Sequence, residues 1–145
     1  MAYEFQVIID SAHPHQLADW WAETLGWTVE EQDPDFIHRM IAEGYATDAD
    51  TTTHAGKLVW RTGAAIRHPE GPTTGRRKRI VFQLVPEPKT VKNRVHIDVW
   101  VDAPDLGAEV DRLQGRGATF LHQGHEGLHE WATLADPEGN EFCVS

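Results

Sequence analysis

The sequence predicts an α+β fold in which two βαβββ modules curl their mixed sheets around a cavity and carry their helices on the outer face. One observation is that a unit of a strand followed by a helix occurs twice in the sequence. When Gln6 is aligned with His96, Pro14 is also aligned with Pro104. The other is that each of these strands has one aliphatic alternating set and one set that mixes polar and apolar residues. Alternate residues of a strand point to opposite faces of a sheet. The aliphatic face therefore needs a helix packed on it, and the mixed face is suited to line a cavity.

The first module, about residues 3–88, opens with a strand over residues 3–10. Its aliphatic set is Val7 and Ile9, and its mixed set is Gln6, Ile8 and Asp10. The helix that follows has Pro14 in its first turn and ends at Gly26, since proline is favoured at a helix start and glycine after its end. A strand over residues 27–31 comes next. The buried stripe of the helix recurs at three-four spacing and consists of Leu17, Trp20, Trp21, Thr24 and Leu25.

Residues 33–72 are expected to form an insertion in this module, because their pattern is less regular. We predict a helix over 35–43, a polar loop over 47–54, a short strand over 57–61 and a turn-rich loop over 67–75. The strand over 79–85 closes the module and ends before Pro86, because proline cannot donate to a sheet ladder. Gln83 lies on the face of this strand opposite to Ile80, Phe82 and Leu84.

The second module, about residues 94–145, repeats this order. We predict a strand to residue 102, a helix over 105–115 and short strands over 118–122 and 130–135. Asp136-Pro137-Glu138-Gly139 then predicts a turn, since proline presets one backbone angle and glycine supplies a positive one. In the last strand, residues 140–144, Glu141 and Cys143 share a face.

Composition and charge restrict the function classes. The 145 residues fit one domain, and the net charge of -10 argues against general nucleic-acid binding. The single cysteine, Cys143, excludes an intrachain disulfide and a multi-cysteine zinc site, as is usual in the cytoplasm. We see neither a leader nor an apolar run long enough to span a membrane. Seven of the 13 Lys and Arg residues lie in the segment from Arg76 to Arg94. We interpret this basic cluster as solvated turns; the alternative is an anion-binding site.

Three features together resemble the vicinal oxygen chelate superfamily, which includes glyoxalase I, bleomycin resistance proteins and extradiol dioxygenases. They are the turn and asparagine at 136–140, the helix end Leu25-Gly26-Trp27, and the Gln6/His96 pair. The stretches 81–89 and 93–98 look more closely like its glyoxalase-like domain branch. The resemblance covers nearly the whole chain, with 33–72 fitting poorly. It implies a single domain over residues 1–145, a small organic molecule as ligand, no membrane or nucleic-acid partner, and a homodimer as an option.

In metal-binding members of this superfamily, four cavity-facing strand positions supply the ligands. Carried over by position, these are Gln6, Gln83, His96 and Cys143, with Glu141 two residues before the last. Zinc or nickel sites favour histidines and carboxylates, whereas this set holds two neutral amides and a thiol. We therefore expect no family-type metal site. The alternative is a divalent zinc or nickel ion held by Gln6, Gln83, His96 and Glu141.

Several candidate residues have more than one interpretation. His96 is either a wall group of the cavity or a proton carrier oriented by Asp98 or Glu141. Cys143 is interpreted as a small buried residue rather than a reactive thiol, because no neighbour in sequence is basic. The histidines at 122, 125 and 129 are interpreted as part of a flexible hairpin loop at the cavity mouth rather than a zinc site. Trp100, and Trp131 if the alternation holds, add the aromatic walls typical of small-molecule pockets.

The sequence thus predicts a cytoplasmic, glyoxalase-like protein that binds a small organic molecule, as the bleomycin resistance proteins do. The expected ligand-binding residues are Gln6, Gln83, His96, Trp100, Glu141 and Cys143. The alternative function is a lyase or isomerase of the glyoxalase I type, which would move a proton on a carbonyl substrate. The catalytic candidates would then be His96, Glu141 and Asp98. A third hypothesis is an assembly module.

Overall fold

A computed structural model describes residues 1–73, 75, 78–102 and 104–145. Arg76 and Arg77 of the predicted basic cluster lie outside the described residues. The chain divides into two compact units, Met1–Glu87 and Pro88–Ser145. None of the described helices is long and apolar enough to cross a membrane.

The first unit holds one four-stranded sheet and one separate hairpin. Its elements are β1 (Val7–Ser11), α1 (Pro14–Leu25), β2 (Thr28–Val29), α2 (Pro34–Ala42), a 3₁₀ turn (Asp48–Asp50), β3 (Thr51–His54), β4 (Lys57–Trp60), β5 (Gly63–Arg67) and β6 (Arg79–Leu84). The sheet has the order β1-β6-β5-β2, with β1 parallel to β6 and the other pairs antiparallel. β3 and β4 form a separate antiparallel two-stranded sheet. The predicted α+β class is confirmed, and β1, α1, β2, β5 and β6 form the first βαβββ module.

Helix α1 covers the aliphatic face of this sheet, as its stripe predicts. His13 is the N-cap and Pro14 the first helical residue, and Gly26 ends the helix with a φ of 68° that favours glycine. Trp21 is only 1% exposed, and the helix packs on β5 and β6. Across the strands, Ile9 pairs with Phe82, which is fully buried. Burial of a side chain such as that of Phe82 contributes about 1.5–3 kcal/mol to the free energy of unfolding.

Two strands in residues 33–72, β3 and β5, were not predicted from the sequence. β5 falls between the predicted strand over 57–61 and the predicted loop over 67–75, and β3 lies in the predicted polar loop over 47–54. β5 lies inside the sheet and buries Ala64, Ala65 and Ile66 in succession, so its sequence has no polar alternation. β3 is three threonines and a histidine, whose polarity hides their β-branched preference for strands. The predicted helix is confirmed as α2, which buries Ile37.

The second unit holds a four-stranded sheet. Its elements are β7 (Ile97–Val99), α3 (Leu106–Gly115), β8 (Thr119–Glu126), β9 (His129–Ala135) and β10 (Glu141–Val144). The order is β7-β10-β9-β8, with β7 parallel to β10 and the other pairs antiparallel. Phe142, Val144 and Leu134 are buried, and α3 packs on β8 and β9. This is the second βαβββ module, as predicted.

The predicted flexible loop over the three histidines is wrong, because β8 and β9 run almost to the tip of their hairpin. Only Gly127 and Leu128 separate the two strands. Gly124 lies inside β8, opposite Trp131. A Cβ at this position would lie 2.6 Å from ring atoms of Trp131, so the strand needs a residue without a side chain. A glycine that permits close packing looks the same in sequence as one that permits a turn.

The predicted turn at 136–139 is confirmed, and it fixes where β10 begins. Asp136 is 2% exposed, and its carboxylate accepts hydrogen bonds from the backbone N–H groups of Glu138 and Asn140 at 2.9 and 3.0 Å. Gly139 has a φ of 87°. The side chain of Asn140 also donates to Asp136. Glu141 and Cys143 then share a face of β10, because they are two residues apart in the strand.

Candidate functional site

One row of polar side chains crosses the mixed face of the second sheet. In the strand register, Asp98 pairs with Cys143, Cys143 with Thr133, and Thr133 with His122. Paired residues on neighbouring strands share a face. We call Asp98, Cys143, Thr133 and His122 the polar row. It combines a carboxylate, a thiol, a hydroxyl and an imidazole on four adjacent strands.

Two tryptophans lie beside the polar row. Trp131 is two residues before Thr133 and shares its face, and its ring rests on Gly124. Trp100 follows β7, is 84% exposed, and its indole N–H donates to Asp98 at 3.3 Å. The predicted assignment of Trp131 to the mixed face agrees with this register. An apolar ring surface thus borders the polar groups in one sheet face.

Cys143 is half-buried, not fully buried as we expected. Its Sγ lies 3.4 Å from Oγ1 of Thr133. The thiol therefore has a hydroxyl as hydrogen-bond partner and faces the same side as Asp98. This arrangement makes Cys143 a polar wall group of the face.

Glu141, two residues before Cys143 and on the same face, accepts hydrogen bonds from two donors of its own unit. The Lys89 ammonium lies 2.9 Å from one carboxylate oxygen, and the backbone N–H of Asn93 lies 3.1 Å from the other. Burial alone would raise the pKa of Glu141, but these hydrogen bonds outweigh it, and the pKa is lowered. A carboxylate with a lowered pKa is a weaker base. Glu141 is therefore built to stay ionised and paired with Lys89.

The first sheet also has a mixed face, and it carries the predicted amides. Ile8 pairs with Val81, and Asp10 pairs with the exposed Gln83. Gln6, just before β1, accepts a hydrogen bond on its Oε1 from the Arg79 guanidinium at 3.1 Å. With its oxygen held by Arg79, the amide of Gln6 presents its NH₂ group as a donor.

Arg79 is part of a charged cluster around Glu30. Two guanidinium nitrogens of Arg79 donate to the two carboxylate oxygens of Glu30 at 2.7 and 2.8 Å, and Arg67 also pairs with this carboxylate. The hydrogen bonds from Arg79 lower the pKa of Glu30, against the smaller opposing effect of burial. The same contact raises the pKa of Arg79. This cluster keeps Arg79 in the orientation that holds Gln6.

The donor set does not fit a family-type metal. The Oε1 of Gln6 already accepts from Arg79, and the carboxylate of Glu141 already accepts from Lys89. A cation at these oxygens would compete with Arg79 and Lys89. His96 lies before β7 and is exposed. In the part of the chain that the structure describes, no group of three or more His, Cys, Asp or Glu residues could hold a metal ion.

Comparison with known protein families shows which family the chain belongs to. A family model described as glyoxalase-like domain matches residues 6–145. The chain belongs to this glyoxalase-like family. The resemblance to the vicinal oxygen chelate superfamily is thereby confirmed. No curated protein sequence matches the chain.

Solved structures of this kind share the fold of the glyoxalase-like chain at low sequence identity. The fosfomycin resistance protein FosX from Listeria monocytogenes has a TM-score of 0.61 and 5% identity, covering 99% of this chain and 92% of that one. A glyoxalase family protein from Bacillus cereus has a TM-score of 0.57 and 16% identity, covering 99% and 93%. A glyoxalase/bleomycin resistance protein/dioxygenase family enzyme from Burkholderia phytofirmans has a TM-score of 0.57 and 16% identity, covering 96% and 94%. At these identities the likeness shows the fold alone.

Sequence reasoning did not find His122, Thr133 and Lys89 as members of this face. His122 was assigned to a loop, and the β8 register shifts between Phe120 and His122, which breaks the alternation on which a face assignment depends. Thr133 lies two residues after Trp131 in the same strand, so the assignment of Trp131 to the mixed face could have placed Thr133 there as well. Lys89 was counted only as part of a basic cluster. Its partner, Glu141, is 52 positions away in the sequence, so no local sequence pattern could predict the contact.

Proposed function

We propose that this glyoxalase-like protein binds a small organic molecule on the mixed face of its second sheet, without a divalent metal ion. The observation that supports this most is the polar row bordered by Trp131. Small-molecule sites typically combine aromatic or apolar walls with a few placed polar groups. Asp98, Cys143, Thr133 and His122 offer such groups, and Trp131 offers the wall.

The state of Glu141 favours binding over proton transfer. A lyase or isomerase of the glyoxalase I type needs a base whose pKa lies near the working pH. The pKa of Glu141 is lowered instead, and its two oxygens are occupied by Lys89 and Asn93. A glyoxalase I reaction would therefore have to rely on His96 with Asp98, the alternative function to be tested.

Tryptophan variants test the binding proposal. Native mass spectrometry of untagged protein from cells would first look for a co-purified molecule, and the fluorescent probe anilinonaphthalene sulfonate would report on the face. We expect Trp131→Leu to weaken probe binding by about 10-fold, as loss of an aromatic anchor commonly does. Trp27→Leu is the matched control, since Trp27 is also half-buried but belongs to the first unit.

Equal losses in the two variants would contradict the proposal. An isomerase assay with added zinc or nickel tests the alternative. Turnover that needs the metal and disappears in His96→Ala would replace binding by metal-dependent catalysis. Turnover without metal that disappears in His96→Ala would favour proton transfer by His96.

A further inference from the structure

A cleft in the first unit is lined by an unusual set of basic and hydroxyl side chains. It lies between the start of α1 and the β3–β4 hairpin and has a volume of about 180 Å³. We call it the histidine cleft; the lining residues that matter are His13, His15, Thr52, Thr53, His54 and Arg61. It shares no residue with the face proposed above to bind an organic molecule.

The rings of His15 and His54 are each oriented by a hydrogen bond at Nε2. The Nε2 of His15 lies 2.8 Å from the carbonyl oxygen of Trp60, and the Nε2 of His54 lies 2.6 Å from a carboxylate oxygen of Asp19. Both partners only accept, so each Nε2 carries the proton. The rings stack with their centroids 5.3 Å apart. Each Nδ1 therefore accepts a hydrogen bond while its ring is neutral and donates one once the ring is protonated.

Arg61 supplies a permanent positive charge to the histidine cleft. Its Nε and one terminal nitrogen donate to the carbonyl oxygens of Ala49 and Thr51 at 3.0 and 2.8 Å. These two bonds orient the guanidinium and use two of its five N–H donors. The fixed fork of N–H groups on arginine matches carboxylate and phosphate oxygens.

The charge of the histidine cleft differs from that of the whole chain. The chain has 23 acidic residues and a net charge of -10, yet none of the described residues that line this cleft is acidic. Asp19 contacts the cluster through His54. A metal is not the expected ligand, because no group of three or more candidate ligands in the described ranges could hold one.

We propose that the histidine cleft is a binding site for a small oxyanion, a phosphate-like or sulfate-like group, free or carried by a small molecule. Arg61 and the hydroxyl of Thr52, which shares its face of β3 with His54, donate to the oxyanion. Protonation of the stacked rings adds donors and charge, and the bound anion offsets the repulsion between His15 and His54. The groups that titrate around it are His13, His15, His54 and Asp19, with Arg61 permanently charged.

A phosphate titration followed by NMR tests this site. Inorganic phosphate is added to the uniformly ¹⁵N-labelled full chain at constant ionic strength, and the backbone amide shifts are recorded. We expect saturable shifts at Ala12, His13, His15 and Gln16 and at residues 52–54 and 61, and none in the turn at 136–140. Arg61→Gln should weaken binding about 10-fold or more, because it removes a charge-assisted donor. Lys57→Gln removes the same charge from an exposed position of the same hairpin and should change affinity less than about 2-fold.

A second variant and a pH series keep the test decisive if Arg61→Gln perturbs the hairpin. His54→Gln should reduce the gain in sulfate affinity between pH 8 and pH 6, a range in which histidine gains a proton and sulfate does not. Non-saturable shifts, or equal effects of Arg61→Gln and Lys57→Gln, would overturn the site. So would a sulfate affinity in the unmodified chain that does not change with pH. None of these outcomes depends on whether the second unit binds an organic molecule.

Discussion

Glu30 lies between two guanidinium groups on the mixed face of the first sheet, and its side chain is 24% exposed. Its carboxylate accepts both Arg79 donors side by side, a geometry that makes such pairs stronger than single contacts. Arg67 adds a second positive charge. The consequence reaches Gln6, because Arg79 can hold the amide of Gln6 only while Glu30 keeps the guanidinium in place.

Replacing Glu30 should destabilise the protein in a pH-dependent manner. The pKa of Glu30 is lowered in the folded state by the hydrogen bonds from Arg79. A lowered folded pKa contributes stability above the ordinary value of 4.5 and loses it as the pH falls through the folded value. We expect Glu30→Gln to lower the free energy of unfolding by about 1–3 kcal/mol at pH 7, because Arg79 and Arg67 lose their anion. Urea unfolding at pH 7 and pH 3 measures this, and the difference should shrink at the lower pH.

Glu109→Gln is the matched control for this prediction. Glu109 also accepts two hydrogen bonds from an arginine, but Arg112 is 45% exposed, and water screens such pairs. Its loss should cost about 0–1 kcal/mol. If the two variants lose the same free energy at pH 7, the cluster around Glu30 has no special role.

At the scale of elements, the local sequence pattern predicted the helices and strands in which one face is apolar and the other is polar. The stripe of α1 and the turn at 136–139 follow from side-chain spacing and backbone preference, and both are confirmed. β5 was missed because a strand buried on both faces has no alternation. The polar row of the candidate site was predicted only in part, since Asp98 and Cys143 keep strand parity whereas His122 follows a register shift. Contacts between distant residues, such as Lys89 with Glu141, have no local pattern at all.

The packing of Trp131 on Gly124 gives a prediction at this scale. A Cβ at position 124 would lie 2.6 Å from two ring carbons of Trp131, so the ring must move. We expect Gly124→Ala to lower the free energy of unfolding by about 1–3 kcal/mol, as overpacking commonly does. Gly115→Ala, at the end of α3, meets nothing within 4 Å and should leave stability unchanged or raise it by up to about 1 kcal/mol. Urea unfolding, followed by tryptophan emission, compares the two variants, and equal values would contradict the packing.

At the scale of the whole molecule, each unit pairs one candidate metal-binding oxygen with a cation of its own. In the first unit Arg79 donates to Gln6, and in the second Lys89 donates to Glu141. Both cations belong to the chain itself, which otherwise carries an excess of acidic residues. Gln6 and Glu141, two of the candidate metal ligands, are thus held by positive side chains of the chain itself. A bound cation would have to displace them.

The midpoint of thermal unfolding should therefore not respond to zinc or nickel. A metal that binds only the folded state at 100 times its Kd adds about 2.7 kcal/mol to the free energy of unfolding. That would raise Tm by about 5–11 °C, since 1 kcal/mol shifts the Tm of a chain of this size by about 2–4 °C. Because Arg79 and Lys89 already occupy the ligand oxygens, we expect no such rise when untagged, chelator-treated protein receives one equivalent of metal. A saturable rise that disappears in both Gln6→Ala and Glu141→Gln would show that the ion displaces these cations, and that the protein has a metal site despite its altered ligands.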